Sequence, residues 1–177
     1  MKAVIISDTH NLHEYLTLPL GDILIHAGDF TRRGTIKEFE RFGKWLQDLP
    51  YKHIIVTYGN HDWLGQEDPA LAEKLLGRAN VLHEKALEID GINFYGAAWQ
   101  PEFCAWAFNV PRDATAVANW AKIPEDTNVL ITHGPPSGIL DLVSDGLSIE
   151  NVGCSALAER ILALPKLTTS IFGHIHE

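Results

Sequence analysis

Asp8 and His10 stand two residues apart, and so do His174 and His176 near the other end of the chain. Between these pairs lie Gly28-Asp29, Gly59-Asn60-His61-Asp62 and Thr132-His133-Gly134. In extended chain a spacing of two puts both side chains on the same side, so each pair can serve one metal region. The candidate ligands are two carboxylates (Asp8, Asp29), one amide (Asn60) and four imidazoles (His10, His133, His174, His176). That set is too large for a single four-coordinate ion with an open position, but it suits two ions sharing a carboxylate. Asp29 lies between the two halves of the ligand set and is the natural bridge. Two divalent ions ~3.5–4 Å apart repel by roughly 20 kcal/mol at an effective dielectric near 20, so a bridging carboxylate and a bridging hydroxide are needed between them. Four metal charges less two carboxylates and one hydroxide leave a site of about +1, suited to a small phosphate ester.

These residues must be held by short strands. The β-branched runs Ala3–Ser7, Asp22–His26, His53–Tyr58, Ile92–Tyr95, Asn128–Thr132 and Ser170–Phe172 are too short for helices and end in Gly, Asp or Asn. Runs such as Val4-Ile5-Ile6 do not alternate with polar residues, which fits strands covered on both faces in a largely parallel sheet. Leu87–Ile89, Asp90-Gly91 and Ile92–Tyr95 spell an antiparallel hairpin. Helices are expected from a Thr35 cap to about Leu49, from Asp68-Pro69 to about Leu76, over Ala114–Lys122 behind Asp113, and over Ser155–Leu164. The alternation is that of an α/β domain, and ligands in such folds bind outside the carboxyl ends of strands. The five polar clusters sit at five such ends and should converge. None of His13, His26, His53 and His83 sits at a strand end beside another ligand, and they read as packing or surface residues.

The chain of 177 residues, 46% hydrophobic and 21% charged, fits one globular domain spanning 1–177. Its net charge of −9 argues against a generic nucleic-acid-binding face. Cys104 and Cys154 form neither a disulfide framework nor a metal knuckle and read as buried small hydrophobes. No signal-like or membrane-spanning stretch is present in it, so a soluble, cytoplasmic protein is expected, and the sequence is silent on oligomeric state. The segment Gly96–Arg112 fits neither period and carries Trp99, Phe103, Trp106 and Phe108. Such a loop either packs its rings onto the domain or offers them to a ligand; Trp99, Trp106 and Phe108 are the candidates for stacking a nucleobase.

Taken in order, D-x-H, G-D, G-N-H-[DE], H and G-H-x-H resemble the signature of the calcineurin-like metallophosphoesterases, from Asp8 to His176. The chain is most similar to the metallophosphoesterase-domain-containing group, through Ile6-Ser7-Asp8-Thr9-His10, Gly28-Asp29-Phe30-Thr31, Asn109-Val110-Pro111-Arg112 and Thr132-His133-Gly134-Pro135-Pro136. The resemblance implies a four-layer α/β sandwich, two mixed sheets flanked by helices. It implies one metal on Asp8, His10, Asp29 and His176, and a second on Asp29, Asn60, His133 and His174. The implied reaction is hydrolysis of phosphomonoesters or phosphodiesters by a metal-bridging hydroxide, with small diesters such as cyclic or modified nucleotides expected here. His61 would protonate the leaving oxygen or stabilise charge on the phosphoryl group. Asp62 would either orient His61 or serve as a cap or surface residue. Manganese is favoured among Mn, Fe, Zn, Co and Ni for this mixed N/O set.

Departures from related families narrow the expectation. Arg32 stands where purple acid phosphatases carry a tyrosine ligand, so a ferric–tyrosinate site is not expected. The same Arg32 replaces the second aspartate of the phosphoprotein phosphatases, while Arg33 matches their arginine and is a candidate phosphate contact. The sequence stops at Glu177, directly after the last motif, where relatives usually continue for another strand or two; either a trimmed form or an incomplete second sheet is expected. Two rival readings stay open: a metal-binding interaction scaffold of the same fold with weak or no catalysis, and a dinuclear hydrolase of a non-phosphate bond.

Overall fold

The structure is a computed structural model that describes every residue except Asp145. Twelve strands are described: β1 (Ala3–Ile6), β2 (Ile23–Ala27), β3 (His53–Thr57), β4 (Asn80–Val81), β5 (Lys85–Ile89), β6 (Ile92–Ala97), β7 (Gln100–Pro101), β8 (Asn109–Val110), β9 (Val129–Thr132), β10 (Leu142–Ser144), β11 (Ile149–Asn151) and β12 (Thr169–Ile171). The helices are α1 (Ile36–Gln47), α2 (Trp63–Glu67), α3 (Pro69–Leu76), α4 (Ala114–Ala121) and α5 (Ser155–Ala163). One sheet has the order β1-β2-β3-β4 and is parallel throughout. The other, β12-β9-β6-β5, is mixed, because only β5 runs antiparallel to its neighbour. That antiparallel pair is the expected hairpin. Ile89 faces Ile92, and Asp90 (φ 50°) and Gly91 (φ 79°) both take the left-handed conformation of a tight two-residue turn.

Three apolar clusters set the layers. Side chains of the first sheet such as Leu24 and Val56 pack on Phe39, Phe42 and Leu46 of α1 and on Leu76 of α3. From the opposite face Ile23, Ile25 and Ile55 meet Phe94, Ile131 and Ile171 of the second sheet. Behind that sheet, Tyr95 and Leu130 pack on Trp120 of α4 and Leu157 of α5. Helices, sheet, sheet, helices is therefore the layer order, and β2, buried along its whole length, runs through the middle. Each fully buried Phe or Leu contributes about 1.5–3 kcal/mol by leaving water.

Local chemistry explains the helix starts. Thr35 caps α1 in a reciprocal box with Glu38, worth about 1 kcal/mol, and Asp68 accepts from the Leu71 N–H ahead of Pro69. The aromatic segment after β6 is not a featureless loop, since β7 and β8 form a short parallel pair within it. A second hairpin, β10 with β11, was not signalled by the sequence period. Cys154 is buried beneath Trp120, whose indole N–H points at its sulfur, but Cys104 is exposed, so burial holds for only one of the two cysteines. Among the described residues no helix is long and apolar enough to cross a membrane.

Candidate metal centre

Each candidate ligand follows the carboxyl end of a strand. Asp8 and His10 follow β1, Asp29 follows β2, Asn60 and His61 follow β3, His133 follows β9, and His174 and His176 follow β12. Pairing continues beyond the strand ends: Asp8 N–H donates to Gly28 O, His10 N–H to Asp29 O and Asn11 N–H to Phe30 O. These bonds hold a cluster of unusual backbone. Asp8 (φ 52°), His10 (40°), Asn11 (68°), Asp29 (57°) and His174 (77°) all lie in the left-handed region, which costs a non-glycine residue about 1–3 kcal/mol. Glycine is required where the loops touch. A Cβ on Gly28 would lie 2.6 Å from His133 Nδ1, and one on Gly173 would lie 2.1 Å from Asp8 Oδ2.

Asp29 is the centre of the arrangement. It is 2% exposed, and its Oδ2 lies 3.3 Å from His133 Nε2, 3.8 Å from His10 Nε2 and 4.0 Å from His61 Nε2. Asn60 Oδ1 is 3.0 Å from the same His133 nitrogen. Asp8 Oδ1 lies 3.3 Å from His176 Nε2, and both Asp8 oxygens accept from the His174 N–H. His174 and His133 meet ring edge to ring at 4.8 Å. Three overlapping groups result: Asp8, His10 and His176; His10, Asp29 and His61; Asp29, His133 and His174. The structure thus brings all seven sequence-selected ligands, with His61, into one neighbourhood.

Backbone carbonyls aim the imidazoles. Nδ1–H of His10 donates to Thr31 O (3.1 Å), that of His133 to Ala27 O (2.9 Å) and that of His61 to Arg32 O (2.7 Å). In each ring Nε2 is left facing Asp29, as metal-binding histidines are oriented by their second nitrogen. Burial alone would raise the Asp29 pKa, yet the charge and hydrogen bond of His133 hold it well below the usual carboxylate range. Burial alone would lower the His133 pKa, but the Asp29 charge outweighs it and pushes it up to about 9. His174, half-buried and beside His133, falls to about 4 through desolvation and the neighbouring His133 charge. A mixed set of imidazole nitrogens, carboxylate oxygens and an amide oxygen, crowded around one shared carboxylate, fits a pair of borderline divalent ions. Asp8, His10, Asp29 and His176 would hold one ion, and Asp29, Asn60, His133 and His174 the other.

Other sequence candidates land differently. Asp62 touches neither solvent nor the His61 ring. Its Oδ2 accepts from the Asp29 and Gly59 N–H groups, and its Oδ1 accepts from the Thr31 N–H and hydroxyl, so it ties the loops after β2 and β3 together. Burial and the neighbouring Asp29 charge push its pKa up to about 7. Trp106 lies against the His61 ring at 4.2 Å. Phe108 does not line the site: it is 1% exposed and stacked on Tyr58, because the loop folds it into the core beneath α2. Trp99 is turned toward Glu84, which accepts its indole N–H, and packs edge-on to His83. Arg33 is exposed with its backbone N–H on Glu38, whereas Arg32 Nε donates to His10 O and the Arg32 carbonyl holds His61.

Two participants were not singled out from the sequence. Phe103 sets its ring 5.2 Å from His174. Glu38 accepts from the Asn11 side chain and from the Arg32 and Arg33 N–H groups while completing the α1 capping box, so one carboxylate braces two ligand loops. Thr35-Ile36-Lys37-Glu38 spells that box in the sequence and was the available signal.

Known proteins resemble the chain over nearly its whole length. The chain is 36% identical over 199 residues to human "Metallophosphoesterase domain-containing protein 1", covering 99% of this chain and 60% of that protein. It is 35% identical to the Caenorhabditis elegans "UPF0046 protein K07C11.7", over 100% of this chain and 64% of the relative. A more distant relative, 24% identical over 88% of this chain and 63% of its own length, is a "Probable cyclic nucleotide phosphodiesterase" of Vesicomyosocius okutanii. The chain thus spans about three-fifths of the length of the human relative it matches. The family described as calcineurin-like phosphoesterase matches residues 1–177 from end to end, and with that match the chain belongs to the calcineurin-like phosphoesterase family.

Proposed function

We propose that the protein is a dinuclear metal-dependent phosphoesterase acting on small phosphodiesters, cyclic or modified nucleotides among them. The observation that carries the proposal is Asp29 Oδ2, flanked by three inward-facing imidazole nitrogens within 4.0 Å at the meeting point of both sheets. Two divalent ions held there, manganese first among Mn, Fe, Zn, Co and Ni, would supply Lewis-acid charge at the phosphoryl oxygens and a water activated at neutral pH. The protein's own part is orientation. Ala27 O and Thr31 O fix the His133 and His10 rings, and Asp62 fixes the Asp29 backbone. Because the Arg32 carbonyl takes the Nδ1–H of His61, Nε2 faces the site, and in the imidazolium form it would carry the proton that passes to the leaving oxygen. Trp106 walls the same side and offers a ring face to a base or other planar leaving group.

The test combines elemental analysis with hydrolysis of bis(p-nitrophenyl) phosphate by protein loaded with each of the five metals. Wild-type protein should bind two ions and turn over. His61→Ala should keep both ions and lose about 10²–10⁴ in kcat. Full activity in His61→Ala would remove that residue from the mechanism. Two bound ions without hydrolysis would favour the interaction-scaffold reading, and cleavage of a non-phosphate ester with no cleavage of the phosphodiester would favour the non-phosphate reading.

A further inference from the structure

Beside the metal centre lies a cavity of about 380 Å³ whose walls include Phe103, Pro135, Val143 and Val152 together with His174 and His176. Its volume falls within the range of roughly 300–1,000 Å³ typical of small-molecule sites, and the lining is mostly apolar, as such sites require. Two features separate it from a chance surface groove. It shares His174 and His176 with the metal centre, so an occupant would touch a ligand of each ion. Its far wall is also fastened: the Arg112 guanidinium donates to Val152 O (2.5 Å) and Gly153 O (2.7 Å), holding the chain after β11 against the site.

The position of the cavity is informative. Trp106 and His61 form one wall of the centre, and Phe103 against His174 forms another. Asp29 has His61 within 4.0 Å and the cavity-lining His174 within 4.8 Å, so a phosphoryl group held at Asp29 is within reach of both the His61 wall and the cavity. A phosphomonoester has a single organic group and would leave one wall unused. A phosphodiester has two.

We propose that this cavity is the subsite for the retained organic group of a phosphodiester, and that it selects an aromatic or similarly apolar group of about one ring over a small alkyl group. The inference rests on the phosphoesterase reading above and adds a specificity determinant to it. Phe103, Val143 and Val152 are the residues that set the preference, by withdrawing the ring from water.

Phenyl 4-nitrophenyl phosphate and methyl 4-nitrophenyl phosphate share a leaving group and differ only in the retained one. The manganese-loaded protein should show a KM for the phenyl ester lower by about tenfold, the discrimination expected for burying part of one ring. Val143→Trp fills the cavity from β10 and should abolish that difference by raising the KM of the phenyl ester to that of the methyl ester. A second readout needs no turnover: phenylphosphonate should shift the Val143 and Val152 methyl resonances, and methylphosphonate should not. Equal KM values for the two esters, with hydrolysis intact, overturn the subsite and leave the phosphoesterase standing. Failure to hydrolyse either ester with any metal overturns the phosphoesterase, and the methyl resonances then decide the cavity alone. Equal shifts with both phosphonates, or none, overturn it.

Discussion

His133 and His13 are both completely buried, yet burial leaves their protons on opposite sides of neutrality. His133 is raised to about 9, because burial is outweighed by the Asp29 charge. His13 is lowered to about 4 by burial, between Phe42 and Trp45 with neither ring nitrogen hydrogen-bonded. The two environments recur across the molecule. At the rim of the sheets, His10, His61 and His133 each have one nitrogen on a backbone carbonyl and the other toward Asp29. In the interior, His26 and His83 are also lowered by burial, to about 3 and about 4. A buried histidine is therefore not informative in itself. What marks the rim group is a carboxylate on one nitrogen and a carbonyl on the other.

Removing the carboxylate should collapse the contrast. Asp29→Asn takes the negative charge from among three imidazoles. Phosphodiester hydrolysis should fall on the order of a thousandfold, equivalent to several kcal/mol of charge stabilisation, and elemental analysis should show metal lost. In the metal-free variant His133 should titrate like His13, neutral above pH 6, which histidine NMR would report. A His133 still protonated at pH 7 would show that Asp29 is not its controlling partner. A smaller loss is expected from Asp62→Asn, which turns a four-bond acceptor into one with an N–H₂ facing backbone donors. Metal affinity should drop by about 10–100-fold, the usual cost of disturbing an outer partner, with little change in kcat once metal is saturating. Trp106→Ala comes next. It should raise KM for a nucleotide diester by roughly fivefold while sparing a simple aryl ester, as the loss of one stacking face predicts. Equal effects on both substrates would end its role in base recognition.

The sequence and the structure agree best where short-range chemistry decides. Thr35 and Glu38, Asp68 with Pro69, and Asp90-Gly91 announce their elements because capping and turn geometry are local. The convergence of Asp8, Asp29, Asn60, His133 and the last two ligand histidines was also legible, since parallel strands put their carboxyl ends on one edge. The aromatic loop was not. Trp99, Trp106 and Phe108 look alike in sequence, and only tertiary packing sends Phe108 beneath Tyr58, turns Trp99 to Glu84 and leaves Trp106 on His61. Arg32 and Arg33 pose the same problem one residue apart: the backbone turn after Asp29, braced by Glu38, decides which one meets His10 and His61. The β10–β11 hairpin was missed because exposed Leu142 and Ile149 break the inward–outward alternation expected of a strand.

The smallest expected effect is on stability, and it has opposite signs in the two regions. An unfolded chain protonates histidine near 6.5, whereas folded His13 resists the proton until about 4. The stability held by a neutral, buried His13 is therefore complete above pH 6.5 and lost as pH falls through that window. The loss is up to about 1.4 kcal/mol per pH unit for each such histidine. His133 behaves in reverse in metal-free protein. Its folded value is raised to about 9, so its contribution is complete below pH 6.5 and lost as pH rises through 9. Urea unfolding of metal-free protein from pH 4.5 to 9.5 should thus give a curve falling at both ends. His13→Leu, which replaces an imidazole lacking hydrogen-bond partners, should flatten the acid side by about one proton and leave the alkaline side alone. Asp29→Asn should do the converse on the alkaline side. If His13→Leu instead left the acid slope unchanged, the interior imidazole would not be held neutral by its apolar surroundings, and the distinction between the two groups of histidines would fail at the residue where it is sharpest.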